Sequence, residues 1–286
     1  MMRLSEPQFS HGETLDACSA GIIRNAGLRE KLKFSKPNLI ATGDDYLAAA
    51  SHGELSSIEP IDDAEDADPT VVDSLKKSEL IKIYDQYFVP ENKPARRIYE
   101  RLLNAANERC PFCGGIGTPR NLDHYLPKAH FPQFSVLPHN LVPACRDCNM
   151  DGKGHAFARN AEDQIIQPYL DNDRFFQEQW IFANYRMGEH DEPGALEYFV
   201  APPIGWSDVD KLRVNNHFVD FNLAKRYATK AAELLGTVIR QVATMRQAEL
   251  SDETINTVLL QPGVDSAPFV NHWQKGMFQA LLQSAL

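Results

Sequence analysis

At 286 residues, 43% hydrophobic and 24% charged, the chain has the composition of a globular protein with a proper core, which excludes a disordered or fibrous one. No run approaches the roughly 18 apolar residues of a membrane span, and Met1 to His11 lacks a basic stretch followed by an apolar one, so the expected location is the cytoplasm, with no membrane partner. With 39 acidic residues against 29 basic ones, the net charge of −10 excludes a chain that grips nucleic acid by bulk positive charge alone.

Apolar residues recur at three- and four-residue spacing in Leu15–Leu32 and in Val71–Phe88, which predicts helices. Cys18, inside the helical stretch Thr14–Leu32, reads as a small buried hydrophobe. Between the two helical stretches lies Ser56–Pro69, with the acidic run Asp62, Asp63, Glu65, Asp66 and Asp68, a solvated connector in composition. Pro90 and Pro94 bracket a turn before a short helix at Ala95–Glu108. Later in the chain, Trp180–Tyr185 and Leu196–Val200 are rich in aromatic and β-branched residues and read as two strands joined across Gly188–Gly194. Asn222–Leu250 carries an apolar stripe (Leu223, Tyr227, Ala231, Leu234, Leu235, Val238, Val242) and predicts a long helix, with a closing helix at Phe269–Leu282. Phe218, Phe221 and Trp273 are expected in the core. The fold class is α+β, mainly helical. Residues 1–100 form a helical N-terminal region, 101–160 a metal-binding module, and 161–286 a C-terminal region with a short antiparallel hairpin and helices.

Four of the five cysteines fall into two C-x-x-C pairs, Cys110/Cys113 and Cys145/Cys148. In a reducing compartment such pairs point to metal ligation rather than disulfides. Four thiolates converging on one point suit a tetrahedral Zn²⁺ with no position left for water, so the site is expected to be structural. Gly114 and Gly115, just after the second thiol, supply the backbone freedom of a tight knuckle.

Between and after the cysteine pairs stand Asn121-Leu-Asp123-His124-Tyr-Leu-Pro127-Lys128, then Pro138-His-Asn140-Leu-Val-Pro143, then Cys148-Asn149-Met-Asp-Gly-Lys153. This segment, roughly residues 108–156, resembles the HNH endonuclease family. The resemblance implies two antiparallel strands and a helix around one divalent ion, a ββα-metal module embedded in the helical chain, beside a Cys₄ zinc site. Hydrolysing a phosphodiester needs a base for water and a hard cation at the phosphate. A neutral imidazole suits the first role near pH 7, and His124 is its candidate. Asp123 and the Asn149 amide suit the second as oxygen ligands for Mg²⁺ or Mn²⁺. Because neighbouring strand residues point to opposite faces, Asp123 and His124 can share the work only where the strand ends or twists, and Pro127 fits such an ending. On the resemblance, Asn140 ties the loop between the strands and orients the imidazole. Asn149 stands where the family name has its second His, and Cys145 starts the helix that carries it.

Lys128, Arg146 and Lys153 are expected to meet phosphates flanking the cut. His130, His139 and His155 read as ordinary loop histidines, with His139 the best placed to support the site. The local charge favours an anionic substrate: residues 41–100 hold 14 acidic against six basic residues, whereas residues 101–160 hold seven basic against four acidic. The expected function is therefore a metal-dependent HNH endonuclease acting on nucleic acid, DNA in the first instance. The overall acidity suggests a nuclease subunit whose partner supplies the DNA-binding surface. The helical flanks resemble bacterial phage-defence proteins that work with an ATPase. Cutting both strands would call for a homodimer. The alternative is a non-catalytic zinc-binding adaptor for nucleic acid or protein.

Overall fold

The computed structural model describes residues 1–154, 156–188 and 194–284. Ser10 opens the first helix as a capping box: its hydroxyl accepts from Glu13 N while the Glu13 carboxylate accepts from Ser10 N, and α1 spans His11–Gly21. Asn25 then starts a second helix, α2 (Ala26–His52), its side chain accepting from Leu28 N at 3.1 Å. The single helical stretch expected over Thr14–Leu32 is thus two helices. Asn25 satisfies an orphan N–H better than a helix interior would, and periodicity alone does not register that break. Cys18 is fully buried in the apolar layer of this region.

The helix expected from Val71 also starts later. Thr70–Val72 (β1) and Leu75–Lys76 (β2) pair antiparallel around Asp73, whose φ of 52° suits its short polar side chain. Helix α3 then covers Lys77–Ile83 and passes into a π-helical turn, Tyr84–Phe88. The acidic connector lies on the surface before it, with Asp62, Glu65 and Asp66 exposed and Asp63 paired to Lys77 Nζ at 2.5 Å. Helix α4 (Arg96–Asn104) precedes the first cysteine pair.

Strands β3 (Asn121–His124) and β4 (Leu141–Ala144) form an antiparallel pair in which Asp123 faces Val142 and His124 faces Leu141. A second π-helical turn, Asp147–Lys153, follows. After the short α5 (Arg174–Gln177) come β5 (Ile181–Arg186) and β6 (Ala195–Val200), close to the expected strands, paired antiparallel with Ala183 opposite Tyr198. Most of the connection read at Gly188–Gly194 lies outside the described residues. The rest is helical: α6 (Asp208–Asp220), α7 (Leu223–Gln247), α8 (Asp252–Ile255), a π-helical turn Asn256–Leu260, α9 (Gln261–Asp265) and α10 (Trp273–Gln283). Helix α6 was not expected from periodicity. Its start is set by Ser207, which accepts from Asp210 N, and it buries Val214 and Phe218.

The architecture is mixed α and antiparallel β, and none of the described helices is long and apolar enough to cross a membrane. Two apolar clusters hold it together. The N-terminal one joins α1 to α4, and the larger one joins the cysteine segment to β5, β6, α6, α7 and α10. The β3–β4 pair lies between them. Leu122 and Leu141 pack into the first cluster while Val142 and Ala144 pack into the second, as strand alternation requires. Phe221 stacks on Phe112 at 5.0 Å in the larger cluster, Phe218 is buried there, and Trp273 packs half-buried against it.

His217 on α6 is fully buried in the larger cluster, against Phe112, Trp180 and Phe221. Its Nε2 donates to Phe112 O at 2.8 Å, and its Nδ1 accepts from Ile166 N at 3.4 Å. Accepting at Nδ1 requires the neutral ring, and burial lowers its pKa from 6.5 to about 3. His11, buried under α2, is lowered to about 4 for the same reason. The unfolded chain therefore binds these protons first. Their contribution to stability is complete above pH 6.5 and is lost as pH falls below it. Urea unfolding at pH 5.5 is expected to give a stability lower than at pH 7.5 by about 1 kcal/mol for each of the two rings. His217→Gln should flatten its share of that slope.

Candidate functional site

The two cysteine pairs meet. All four Sγ atoms lie within 4.8 Å of one another, and all four residues are buried. A tetrahedral ion with bonds of about 2.3 Å to sulfur spaces its ligands about 3.8 Å apart. Cys113 Sγ and Cys145 Sγ are 4.0 Å apart, so the cluster fits such an ion with little adjustment. The knuckle is shaped for it: Cys110 N donates to Gly117 O, Gly117 N donates to Cys113 Sγ at 3.3 Å, and Gly114 and Gly115 take φ of 62° and 82°. A Cβ at Gly117 would collide with Cys145 Sγ. From α7, Arg226 donates to Cys148 Sγ at 3.2 Å and to Cys145 Sγ at 3.6 Å, and it also pairs with Asp147. A guanidinium placed there offsets the negative charge of a tetrathiolate centre.

One strand away, Asp123, His124 and Asn149 line a single cleft of about 290 Å³, together with Asn121, Tyr84, Pro127 and Lys128. Strand β3 ends at His124, so Asp123 and His124 can both serve one cleft although they are adjacent in sequence. His124 Nε2 lies 2.9 Å from Ser135 O. A carbonyl only accepts, so Nε2 carries the proton and Nδ1 holds the lone pair of the neutral ring. Burial holds the imidazole down at about 3 against the opposing pull of the Ser135 carbonyl, and the ammonium groups of Lys128 and Lys153 lower it further. Asp123 is equally buried, and its Oδ2 faces Lys153 Nζ at 3.4 Å. Asn149, half-buried on the π-helical turn, donates from Nδ2 to Asn121 Oδ1 at 3.1 Å, which leaves its amide oxygen as the acceptor. One carboxylate and one amide oxygen beside an open cleft are the donor chemistry of a hard, partly hydrated divalent cation.

Asn140 is fully buried behind this cleft. Its Oδ1 accepts from Leu126 N at 2.7 Å, and its Nδ2 donates to Leu126 O at 3.0 Å and to Phe134 O at 3.1 Å. It clasps the loop that carries the chain from β3 to β4. Asn140→Ala strands the Leu126 N–H and its partner carbonyls in a dry interior. The expected loss is about 2–4 kcal/mol, measurable as a fall in the urea midpoint, because several buried groups lose their partner at once.

The cationic residues divide. Arg146 is exposed beside the cysteine cluster. Lys128 is paired with Asp85 and sits over the Tyr84 ring at 4.6 Å. Lys153, expected beside flanking phosphates, is instead buried: its Nζ donates to His124 O at 2.5 Å and faces Asp123. The bond to His124 O and the Asp123 carboxylate compensate the buried ammonium, and Gly154, with φ of 54°, ends the π-helical turn just after it. His130 packs on Phe157, and His139 packs on Tyr169 with its Nε2 3.5 Å from Glu6, so neither lines the cleft. His155 lies outside the described residues.

Three contributors were not legible in the motif. Arg226 is 78 residues from the cysteine it contacts most closely, with no local signal. The Ser135 carbonyl is a backbone group and leaves no trace in residue type. Tyr84 belongs to the N-terminal helical region, yet its ring centroid lies 4.4 Å from that of His124.

In comparison with known proteins, the chain is 38% identical over 299 aligned residues to protein ea31 of Escherichia phage lambda, covering 99% of this chain and 98% of that protein. No family model matches the chain. No solved structure matches it either.

Proposed function

The chain belongs to the protein ea31 family, and we propose that it is a metal-dependent phosphodiesterase of the HNH type that cuts nucleic acid, DNA in the first instance. The observation that carries this reading is the His124 ring. It stands at the end of β3 with Nε2 fixed on Ser135 O, which leaves Nδ1 with the lone pair that can accept a proton, and the residue lines a cleft with Asp123 and Asn149.

In this reading His124 Nδ1 takes the proton of the water that attacks phosphorus, and the bond from phosphorus to the departing sugar oxygen breaks. Asp123 and Asn149 Oδ1 would hold Mg²⁺ or Mn²⁺, which when bound supplies positive charge for the developing phosphorane and the leaving oxygen. Asn140 keeps the β3–β4 loop, and with it Ser135, in register with the imidazole. Lys153 Nζ, 3.4 Å from Asp123 Oδ2, holds that carboxylate in place. The cysteine cluster, proposed to hold zinc, anchors Cys148 and so places Asn149, the next residue, at the cleft. The net charge of −10 favours a subunit that works beside a more basic partner, for which an ATPase is one candidate.

The test is incubation of the pure protein with supercoiled plasmid, single-stranded DNA and RNA in Mg²⁺, Mn²⁺ or EDTA, alongside Asp123→Asn. Cutting that needs the divalent ion and that Asp123→Asn loses is the expected result. Equal cutting by Asp123→Asn and the parent, or cutting undiminished in EDTA, would overturn the reading. A protein that holds zinc yet cuts nothing, alone or with its partner, would favour a zinc-binding adaptor.

A further inference from the structure

We infer that Tyr84, on the π-helical turn of the N-terminal region, is a positioning residue for His124, and that the segment Leu80–Asp85 forms a wall of the proposed nuclease site. The inference rests on the reading of His124 as the base, but its observations are separate. The Tyr84 ring meets the His124 ring edge-on, with centroids 4.4 Å apart and planes at 65°. Its hydroxyl donates to Leu122 O at 3.5 Å, two residues before His124 on β3. Four residues earlier, Leu80 O accepts from Ser135 Oγ at 3.0 Å, and Ser135 is the residue whose carbonyl holds His124 Nε2. One residue later, Asp85 pairs with Lys128, which lines the same cleft.

Two of these contacts touch the imidazole itself, and the others hold the groups that make them. The bond to Ser135 O fixes the tautomer and one ring edge, but a ring held at one atom still swings about that bond. An aromatic ring against it closes that freedom, in contact geometry that aromatic pairs prefer. The site of contact is a π-helical turn, in which an extra residue per turn shifts side-chain direction relative to a regular helix. Such turns recur at functional sites. Here the irregularity falls where Tyr84 lines the cleft and Asp85 pairs with Lys128, and a second π-helical turn carries Asn149 to the same cleft. A base displaced by a fraction of an ångström loses rate without losing substrate affinity, so a positioning role should appear in kcat rather than KM.

The experiment pairs a ring-specific spectrum with kinetics on the full chain. In the parent protein, nuclear Overhauser contacts are expected between the Tyr84 and His124 ring protons, and His124 should show one tautomer protonated at Nε2. Tyr84→Leu should perturb the His124 ring signals while zinc content and the signals of His217 stay in place. Tyr84→Phe, which keeps the ring and loses only the hydroxyl, should restore them. On a metal-dependent cleavage assay, Tyr84→Leu should lower kcat at least about 10-fold with KM within about 3-fold, and Tyr84→Phe should stay within about 3-fold of the parent. Absence of the ring-to-ring contact in the parent overturns the inference even if Tyr84→Leu fails to fold. A His124 spectrum indifferent to Tyr84→Leu overturns it as well, whatever the activity. If the ring responds as expected but the parent cuts no substrate, the positioning stands and the nuclease reading falls.

Discussion

His124→Ala is expected to reduce divalent-metal-dependent cleavage by at least about 10²-fold, the scale set by loss of a general base, while the protein keeps its metal at the cysteine cluster. The imidazole is buried, bonded to Ser135 O and packed on Tyr84, so the substitution also leaves a small void and an unpartnered carbonyl. A stability cost of about 1–3 kcal/mol should accompany the lost activity, too little to unfold a domain of ordinary stability. The two effects are separable. Rates measured at 25 °C, well below the unfolding transition, report the base, and thermal melts report the packing. His124→Gln sharpens the comparison, since its amide nitrogen takes about the place of the imidazole Nε2 and can still donate to Ser135 O but is no base. It should recover part of the melting temperature and none of the rate. Parent-like cutting by either variant would remove His124 from the role.

What the chain's pattern of residues could and could not convey follows from which interactions are local. The two C-x-x-C pairs are local signals, and their convergence needs only that β3 and β4 pair. The long α7 and the β5–β6 pair were visible because a buried stripe of period 3.6 or 2 leaves a strong trace over many residues. Where two short-range preferences compete, the trace misleads. Val71 and Val72 fit a helical stripe, but Asp73 turns the chain and they become strand. Lys153 carries the residue type of a surface phosphate contact, yet it is buried against Asp123 and the His124 carbonyl, partners that are 30 and 29 positions away. Tyr84, Ser135 and Arg226 reach the two centres through tertiary packing across 40, 11 and 78 positions, and their residue types are unremarkable at those points. Such contacts are decided by how the clusters close, and one chain read alone holds no record of it.

The cysteine cluster should decide whether the molecule stays folded at all. Without a bound cation, thiolates packed within 4.8 Å repel one another once more than one is ionised, and as neutral thiols they are poorly matched partners. A structural zinc site in a small module carries an apparent binding free energy of about 10–16 kcal/mol, as large as the whole stability of a typical domain. Cys113→Ser removes one soft ligand from the middle of the larger apolar cluster, where Phe112, Tyr227 and Phe221 pack around it. The expected outcome is loss of stoichiometric zinc by elemental analysis, a melting temperature lower by more than about 10 °C, and aggregation on purification. Arg226→Ala should behave differently: it takes away a donor to Cys145 and Cys148 but no ligand, so zinc should be retained and should exchange faster with a chelator. Cleavage should fall in Cys113→Ser even at temperatures where it is folded, because Cys148 directly precedes Asn149 and a released knuckle no longer holds that amide at the cleft. A Cys113→Ser protein with full zinc and parent-like melting would show that the cluster is not a four-ligand site. If zinc were lost with cleavage unchanged, Asn149 would be placed by the bond to Asn121 alone.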